Sequence, residues 1–321
     1  MELRQICLSG IRLGDTRFRF TLDKPDEKLM VSIQEAGIVE PVIIKAKDNA
    51  FILVTGWRRV EAAHASGLKE VPALVLPSEL TDLDIFRLAF FESYAQKDFS
   101  LAEKALIINK FIDFGLGQEE LIRKLLPLLA LPPERKTTDL LDQLAGLDWA
   151  LPAIHRCRWK LPTARLFLSF THEEQKLIIS LTDAFNHNQQ AEFIELLFTL
   201  KKRHRMGIEA ILSDREMEQL VRKAKEGKPQ AGQELLAALK KRVSPLVTKI
   251  NREIQLAVKE INLPDKCWLD YDHSLEQKSI SISLEARSAE ELDLALKDLG
   301  QSLKAGEWDF LFRQLSKKID E

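Results

Sequence analysis

Cysteine is scarce in this 321-residue chain, and the three present, Cys7, Cys157 and Cys267, lie far apart and never pair with histidine at metal-ligand spacing. A disulfide framework and a zinc site both lack the residues they need, so buried free thiols are expected. Glycine (13) and proline (12) are too few for a collagen-like chain, and 45% hydrophobic residues beside 30% charged residues of mixed sign exclude a mainly disordered one. No apolar run approaches the ~18 residues of a membrane-spanning helix, because even Leu125 to Pro133 is interrupted by prolines. The opening Met1-Glu-Leu-Arg-Gln shows no basic segment leading into an apolar core, so no secretory signal is read there and the cytoplasm is the expected compartment. Enzyme signatures are equally sparse. The six histidines are scattered, with no Ser/His/Asp order, no Gly-rich phosphate loop, no paired-His zinc motif and no carboxylate cluster able to hold two metals. What is left is a globular protein of two or three domains.

The formal net charge is −2, which alone disfavours nucleic acid, but its distribution is uneven. Residues 1–99 carry 13 basic and 15 acidic groups, residues 100–205 carry 15 and 13, and residues 206–321 carry 19 and 21. Only the middle third is positive.

Residues 1–99 read as a mixed α/β domain. Pro41-Val-Ile-Ile-Lys and Phe51-Ile-Leu-Val-Thr are β-branched runs around an Asp48-Asn49 turn, and Val71-Pro-Ala-Leu-Val-Leu is a further strand. Glu27 to Ala36 and Arg58 to Ser66 have helical spacing and stop at Gly37 and Gly67, and Asp82 to Ala95 is a third helix. Residues 100–212 are almost wholly helical, broken at Gly115-Leu-Gly and at Pro stops, which predicts a compact helical domain. Residues 213–232, polar around Gly227-Lys-Pro, are the linker candidate. Residues 233–321 open with a long helix, Gln233 to Ile261, with a possible bend at Pro245. The period then alternates at Cys267-Trp-Leu-Asp-Tyr and Ser279-Ile-Ser-Ile-Ser-Leu-Glu, placing Ile280, Ile282 and Leu284 on one strand face. A capping box at Ser288-Ala-Glu-Glu leads into a helix expected to turn Leu292, Leu296 and Leu299 inward. This αββα tail is too small to bury its apolar surface alone, so a homodimer is expected. The fold class is α+β.

Thr55-Gly-Trp-Arg-Arg-Val-Glu-Ala-Ala carries the most chemistry. Gly56 before Arg58 and Arg59, at a strand-to-helix junction, offers open backbone N–H groups, a helix N-terminus and two guanidinium forks, which suits a phosphate. The bland alternative is a capped, solvated helix start. The surrounding pieces resemble those of the ParB partition proteins and the wider ParB/sulfiredoxin nucleotide-binding fold. Gly37-Ile-Val-Glu-Pro is similar to the family's Gly-Val-Leu-Gln-Pro, Gly56-Trp-Arg-Arg-Val-Glu-Ala to its Gly-Glu-Arg-Arg-x-Arg-Ala box, and Gly67-Leu-Lys-Glu-Val-Pro-Ala to the segment after it. Glu92-Ser-Tyr-Ala-Gln stands where the family has Glu-Asn-x-x-Arg, followed by Leu101-Ala-Glu-Lys-Ala. The resemblance implies a site for CTP and Mg²⁺ at Gly37, Glu40, Gly56, Arg58, Arg59, Glu92 and Ser93, with Glu92 on the metal. Four departures bear on it. Trp57 replaces Glu, Glu61 replaces Arg, Ser93 replaces the metal-binding Asn, and Gln96 replaces an Arg near the triphosphate, so any CTPase activity is expected to be slow or absent.

The middle domain resembles the family's helix-turn-helix at Phe114-Gly-Leu-Gly-Gln-Glu-Glu-Leu. A longer Leu-Pro-rich connection replaces the usual tight turn, and the next helix starts at Arg135, Lys136, Thr137 and Thr138, which are expected to meet phosphates or base edges unless they only cap a solvated helix. Between Trp149 and His172 no acidic residue occurs, while Arg156, Arg158, Lys160 and Arg165 accumulate around Trp159. That predicts a phosphate-tracking patch, or alternatively exposed arms around a buried tryptophan. Lys201-Lys-Arg-His-Arg is a third basic cluster that suits a helix C-terminus. His64 and His155 are expected to be surface or helix-packing residues. The implied function is a DNA-binding protein of chromosome or plasmid partition, or of related regulation, with double-stranded DNA and a partition ATPase as partners, no membrane, and action as a CTP-dependent clamp. Two other readings stay open: a nucleotide-dependent enzyme on the same fold, such as a small-molecule kinase or nuclease, and a nucleotide-free scaffold that pairs with an ATPase.

Overall fold

The computed structural model describes residues 1–228, 230–261, 263–264, 266–271, 279–303 and 307–315. Pro229, in the middle of the expected linker, lies outside them. The described chain divides into two compact units, one of residues 1–182 and 186–194, the other of residues 183–185 and 195–321. The first unit thus runs past the expected boundary at 99 without a break.

Its sheet has the order β1-β4-β2-β3, formed by β1 (Glu2–Cys7), β2 (Val42–Lys47), β3 (Ala50–Thr55) and β4 (Glu70–Leu76). β1 pairs antiparallel with β4, β4 runs parallel to β2, and β2 and β3 form the expected hairpin, with Asp48 at a positive φ of 53° in its turn. β1 was not legible in the sequence, because only Ile6 of its six residues is buried. Helix α1 (Glu27–Ala36) is capped by Asp26, whose carboxylate accepts the Leu29 N–H, and α2 (Trp57–Ala65) packs beside it. Ile33, Val42, Ile44, Leu53, Trp57, Val60 and Val71 fill the core of this α/β part.

Helices α3 (Asp82–Tyr94) and α4 (Leu101–Asp113) continue the unit. What joins them is aromatic. Phe18 and Phe20 from the N-terminal loop, Phe86 and Phe90 of α3, Phe99, Phe111 of α4 and Phe114 form one cluster, with Phe20–Phe86 centroids 5.5 Å apart and Phe86–Phe111 centroids 4.7 Å apart. Edge-to-face pairs add about 0.5–1.5 kcal/mol each beyond area burial, so the segments on either side of residue 99 share one core. A broken helix follows: α5 (Gln118–Glu120), a π-turn at Leu121–Leu125 and α6 (Leu126–Leu128), where Pro127 interrupts the hydrogen-bond ladder. Then come α7 (Arg135–Ala145), α8 (Leu151–Arg156), α9 (Leu161–Leu168) and α10 (His172–Leu181). Cys157 is buried as expected, while Cys7 is exposed at the end of β1, where chain alternation turns it outward.

The second unit takes the later half of α11 (His187–His204), then α12 (Ile208–Ile211) and α13 (Arg215–Lys225). The expected linker therefore contains a helix. Asp214 caps it by accepting the Glu216 and Met217 N–H groups, and it buries Met217. The expected long helix is two, α14 (Ala231–Val243) and α15 (Pro245–Glu260), separated at Ser244 because proline cannot donate into the ladder. The hairpin of β5 (Cys267–Tyr271) and β6 (Ile280–Leu284) is antiparallel, with Cys267 opposite Leu284, and Cys267 is buried. After α16 (Ala289–Ser302) comes a helix the sequence reading did not include, α17 (Glu307–Leu315), and its Trp308, Leu311 and Leu315 pack on Ile250, Ile254 and Ala257 of α15. With that seat filled, Leu299 joins the cluster, but Leu292 and Leu296, expected inward, are exposed, as is Ile282. The Ser288 cap is half a box: its hydroxyl accepts the Glu291 N–H, but the Glu291 carboxylate takes the Arg287 N–H and Lys266.

Candidate nucleotide pocket and basic cleft

β3 delivers Thr55 directly into the turn that begins α2, and Gly56 makes that turn at φ 91°, ψ 23°. A Cβ at this position would stand 2.6 Å from Val42 Cγ1. Torsion and space both require glycine there. Gly56 caps α2 without a side-chain hydrogen bond, so the first N–H groups of the helix face the turn.

Both arginines of the box are held by protein oxygens. Arg59, its side chain 15% exposed, donates to the Glu40 and Pro41 carbonyls at 2.7 and 3.2 Å, and pairs with the carboxylates of Glu40 at 2.9 Å and Glu92 at 3.5 Å. Arg58 donates to the Lys24 carbonyl at 3.1 Å and the Asp26 carboxylate at 2.7 Å. The Leu29 N–H, and then Arg58, hold the Asp26 carboxyl below the usual carboxylate range. Near the end of α3, the Ser93 hydroxyl and the Gln96 amide both donate to Glu92, each at 3.3 Å. A cavity of about 240 Å³ is lined by Glu40, Thr55, Gly56, Trp57, Arg58, Arg59, Glu92, Ser93 and Gln96, together with Asp23 and Lys97. The ionisable groups around it balance, Asp23, Glu40 and Glu92 against Arg58, Arg59 and Lys97. Gly37 is the exception among the residues named from sequence. It ends α1 at φ 70° with open space around it and does not line the cavity.

Two of the four departures share one cause. Trp57 and Glu61 stand one turn apart on α2, and Arg19 meets both: its guanidinium lies 5.0 Å from the Trp57 ring centroid and 2.7 Å from the Glu61 carboxylate. A cation from the N-terminal loop thus sits beside the position where α2 carries Glu61 in place of an arginine. Arg19 was not singled out from the sequence, since nothing local to it marks a partner 38 or 42 residues away.

Beside the cavity lies a charged knot. Lys97 donates to Asp23, and to Glu103 at 2.7 Å; His155 lies 3.1 Å from Asp23 and 2.8 Å from the Ser100 hydroxyl. Glu103 is buried, and its carboxylate also accepts the Leu22 and Ser100 N–H groups. Burial pushes the Asp23 carboxyl up, but the Lys97 ammonium and His155 outweigh it and hold it below the usual range. Asp23, Glu103 and His155 bring ligand atoms within 4.8 Å of one another, yet the Lys97 ammonium already supplies their cation. His155 is therefore a packing residue, as expected, fixing α8 to the loop before α1. His64 is exposed in the last turn of α2.

The basic stretch opens on a wide cleft of about 1100 Å³ within the first unit, lined by Arg156, Arg158 and Lys160 and, from other segments, Lys24, Arg58, Lys97 and Lys104. Arg165 is exposed but does not line it. Trp159 between them is buried, its indole N–H donating to Gln190 at 3.1 Å, and the turn is held by Arg158 at a positive φ of 45°. The exposed arms around a buried tryptophan are thus found, and Asp23, Asp26, Asp98 and Glu103 line the same cleft beside its seven cations.

At α7 the structure corrects the sequence reading. Arg135 and Lys136 are exposed, but Thr137 and Thr138 are buried, and the Thr138 hydroxyl donates to the Arg135 carbonyl at 2.7 Å. α7 lies against α4, which turns its first-turn threonines into the core, so neither reaches a base edge in this conformation. Lys201 to His204 end α11 as expected for cations at a helix C-terminus, with Arg203 donating to the Val243 carbonyl.

Residues 1–94 match the family described as ParB N-terminal domain. Among curated proteins, the chain is 36% identical over 118 residues to the chromosome-partitioning protein Spo0J of Thermus thermophilus, covering 34% of this chain and 43% of that one. It is 30% identical over 122 residues to the probable chromosome-partitioning protein ParB of Coxiella burnetii, covering 37% and 41%. The match thus spans less than half the length of these relatives. A solved structure, the C-terminally truncated ParB of Caulobacter crescentus complexed with CTP-γ-S, aligns at 18% identity over 73% of this chain and 99% of that one, with a TM-score of 0.27. The likeness to ParB proteins thus lies in the first third of the chain, residues 1–94.

Proposed function

We propose, from the match of residues 1–94 to the ParB N-terminal domain, that the protein binds a nucleotide in the cavity at the start of α2 and double-stranded DNA through the helical part of the same unit. It would act on the nucleoid in chromosome or plasmid partition or in related regulation. The observation that carries this reading is convergence: Glu40, Gly56, Arg58, Arg59, Glu92 and Ser93, named from sequence at three separated motifs, line one cavity. CTP is the nucleotide that the motif resemblance implies. Mg²⁺ takes oxygen ligands and commonly one or two carboxylates beside the phosphates, and Glu92, one of three carboxylates on the cavity wall, fits as its protein ligand. The metal would neutralise phosphate charge that the balanced lining does not. With Ser93 and Gln96 both directed at Glu92, turnover is slow or absent, and the protein acts as a binding switch more than as a CTPase.

DNA is met by Arg135 and Lys136 at the start of α7, and by Arg156, Arg158, Lys160 and Arg165 of the α8–α9 region, all exposed. Phosphate contacts of this kind position a duplex without specifying its sequence. The tail makes the homodimer, since Trp268, Ile282, Leu292, Leu294 and Leu296 stand exposed on β5, β6 and α16. A partition ATPase is the protein partner. The three-part organisation, nucleotide domain, helical DNA-binding domain and dimerising tail, is part of the proposal.

Titration calorimetry on the full chain with CTP, ATP and GTP, each with Mg²⁺, tests the reading. Saturable heat with CTP is expected, weakened by the ~1.5–3 kcal/mol typical of hydrogen bonds to charged groups in Arg59→Ala. No heat with any of the three at millimolar concentration removes the nucleotide.

A further inference from the structure

Two polar atoms at the β3–α2 junction lack partners. Thr55 and Trp57 are 4% and 5% exposed, and neither the Thr55 hydroxyl nor the Trp57 indole N–H has a hydrogen-bond partner among the described residues. Leaving a buried donor unsatisfied costs about 1–3 kcal/mol, and most buried polar groups are paired. Here two flank one glycine, and both residues line the 240 Å³ cavity. Trp159 shows the contrast. Its indole N–H, equally buried, is paired with Gln190 and lies outside that cavity.

An indole nitrogen only donates, so whatever meets it must present an acceptor. Trp57 is the first residue of a nine-residue helix, at the end where the backbone N–H groups and the macrodipole favour an anionic oxygen. The neighbouring guanidinium of Arg59 is already shared between Glu40 and Glu92. Neutral donors cost no competing ion pair when a ligand arrives. Resting on the nucleotide reading above, we infer that the Thr55 hydroxyl and the Trp57 indole N–H are the donors through which the pocket holds phosphate oxygens of its nucleotide. They set its affinity where the family's carboxylate and one of its cations at this helix have been replaced. Arg19, stacked on the Trp57 ring and tied to Glu61, fixes the indole's orientation.

The test uses the full chain, calorimetry with CTP and Mg²⁺, and thermal melting without ligand. Thr55→Val keeps the shape and removes the hydroxyl, Thr55→Ser keeps the hydroxyl, Trp57→Phe removes the N–H, and Trp159→Phe is the control. Thr55→Val and Trp57→Phe should each weaken CTP about tenfold, the order of one hydrogen bond to a charged group. Thr55→Ser and Trp159→Phe should bind as wild type. Ligand-free Thr55→Val should melt no lower than wild type, because an unsatisfied donor has been removed. Wild-type affinity in both Thr55→Val and Trp57→Phe overturns the inference and leaves the nucleotide reading standing; absence of CTP binding by wild type overturns both. If Trp57→Phe does not fold, the two Thr55 variants decide: lower melting with unchanged affinity in Thr55→Val makes the hydroxyl structural and ends the proposal.

Discussion

Replacing Gly56 by alanine loads one position with two separable penalties. The first is torsional, since φ of 91° lies in the left-handed region, where an L side chain costs about 1–2 kcal/mol. The second is steric. The new Cβ would lie 2.6 Å from Cγ1 and 3.0 Å from Cβ of Val42, a fully buried β-branched residue with no room to turn away; overpacking of this sort costs about 1–3 kcal/mol. Together the loss is about 2–5 kcal/mol, a large share of the ~5–15 kcal/mol of a typical domain. At about 2–4 °C per kcal/mol for a unit of this size, the first unit should melt roughly 4–20 °C lower. Gly37→Ala is the internal control, because its φ is 70° but nothing lies within 4 Å of the added Cβ, so only the torsional share applies. Val42→Ala supplies the other arm. In a double-mutant cycle by urea unfolding, Gly56→Ala and Val42→Ala should couple favourably by about the steric share, ~1–3 kcal/mol. Equal losses for Gly56→Ala and Gly37→Ala, with no coupling to Val42, would refute the close approach of β2 to the α2 turn.

Thr138→Val should lower stability by about 0.5–1.5 kcal/mol through loss of the bond to the Arg135 carbonyl, while leaving the preferred DNA sequence unchanged in a selection experiment; a changed preference would mean the threonine reaches DNA after all. Because the Asp23 carboxyl is held below its ordinary range, its contribution to stability is present above about pH 4 and is lost as the pH falls through its depressed folded value. Asp23→Asn should accordingly be less stable than wild type at pH 7, with the difference closing in acid unfolding below about pH 4; a gap independent of pH contradicts the knot. Leu292→Asp with Leu296→Asp, on an exposed face of α16, should leave the fold intact by circular dichroism and convert a dimer into a monomer in light scattering at tens of micromolar; an unchanged mass places the dimer contact elsewhere.

The strands and helices of the first hundred residues were legible because each carries its own signal: a β-branched run, a turn pair, a Gly stop. β1 carried none, since its partner β4 lies some seventy residues on and only Ile6 is buried. The cavity was legible for the same local reason, as Gly56, Arg58 and Arg59 are adjacent. The grip on Arg58 by Asp26, the stacking of Arg19 on Trp57, and the Asp23–Lys97–His155 knot join residues whose proximity only the fold creates. Thr137 and Thr138 show the converse error. Their position at a helix start reads as solvent-facing, but packing against α4 decides the face, and a four-residue string has too short a period to reveal it. In the tail, α17 took the seat on α15 that the spacing of α16 had suggested for its leucines.

DNA binding by the basic residues of the α8–α9 region is the property on which the proposed function most directly rests. Fluorescence anisotropy with labelled duplexes of random and genome-selected sequence, with and without CTP and Mg²⁺, measures it at several salt concentrations. Wild type should bind, and the four-fold variant Arg156→Ala, Arg158→Ala, Lys160→Ala, Arg165→Ala should bind every duplex more weakly, with the salt dependence flattened by ~0.9 per lost phosphate contact. Equal, negligible binding by wild type and variant at low salt would contradict the account, leaving the basic cleft as solvated surface.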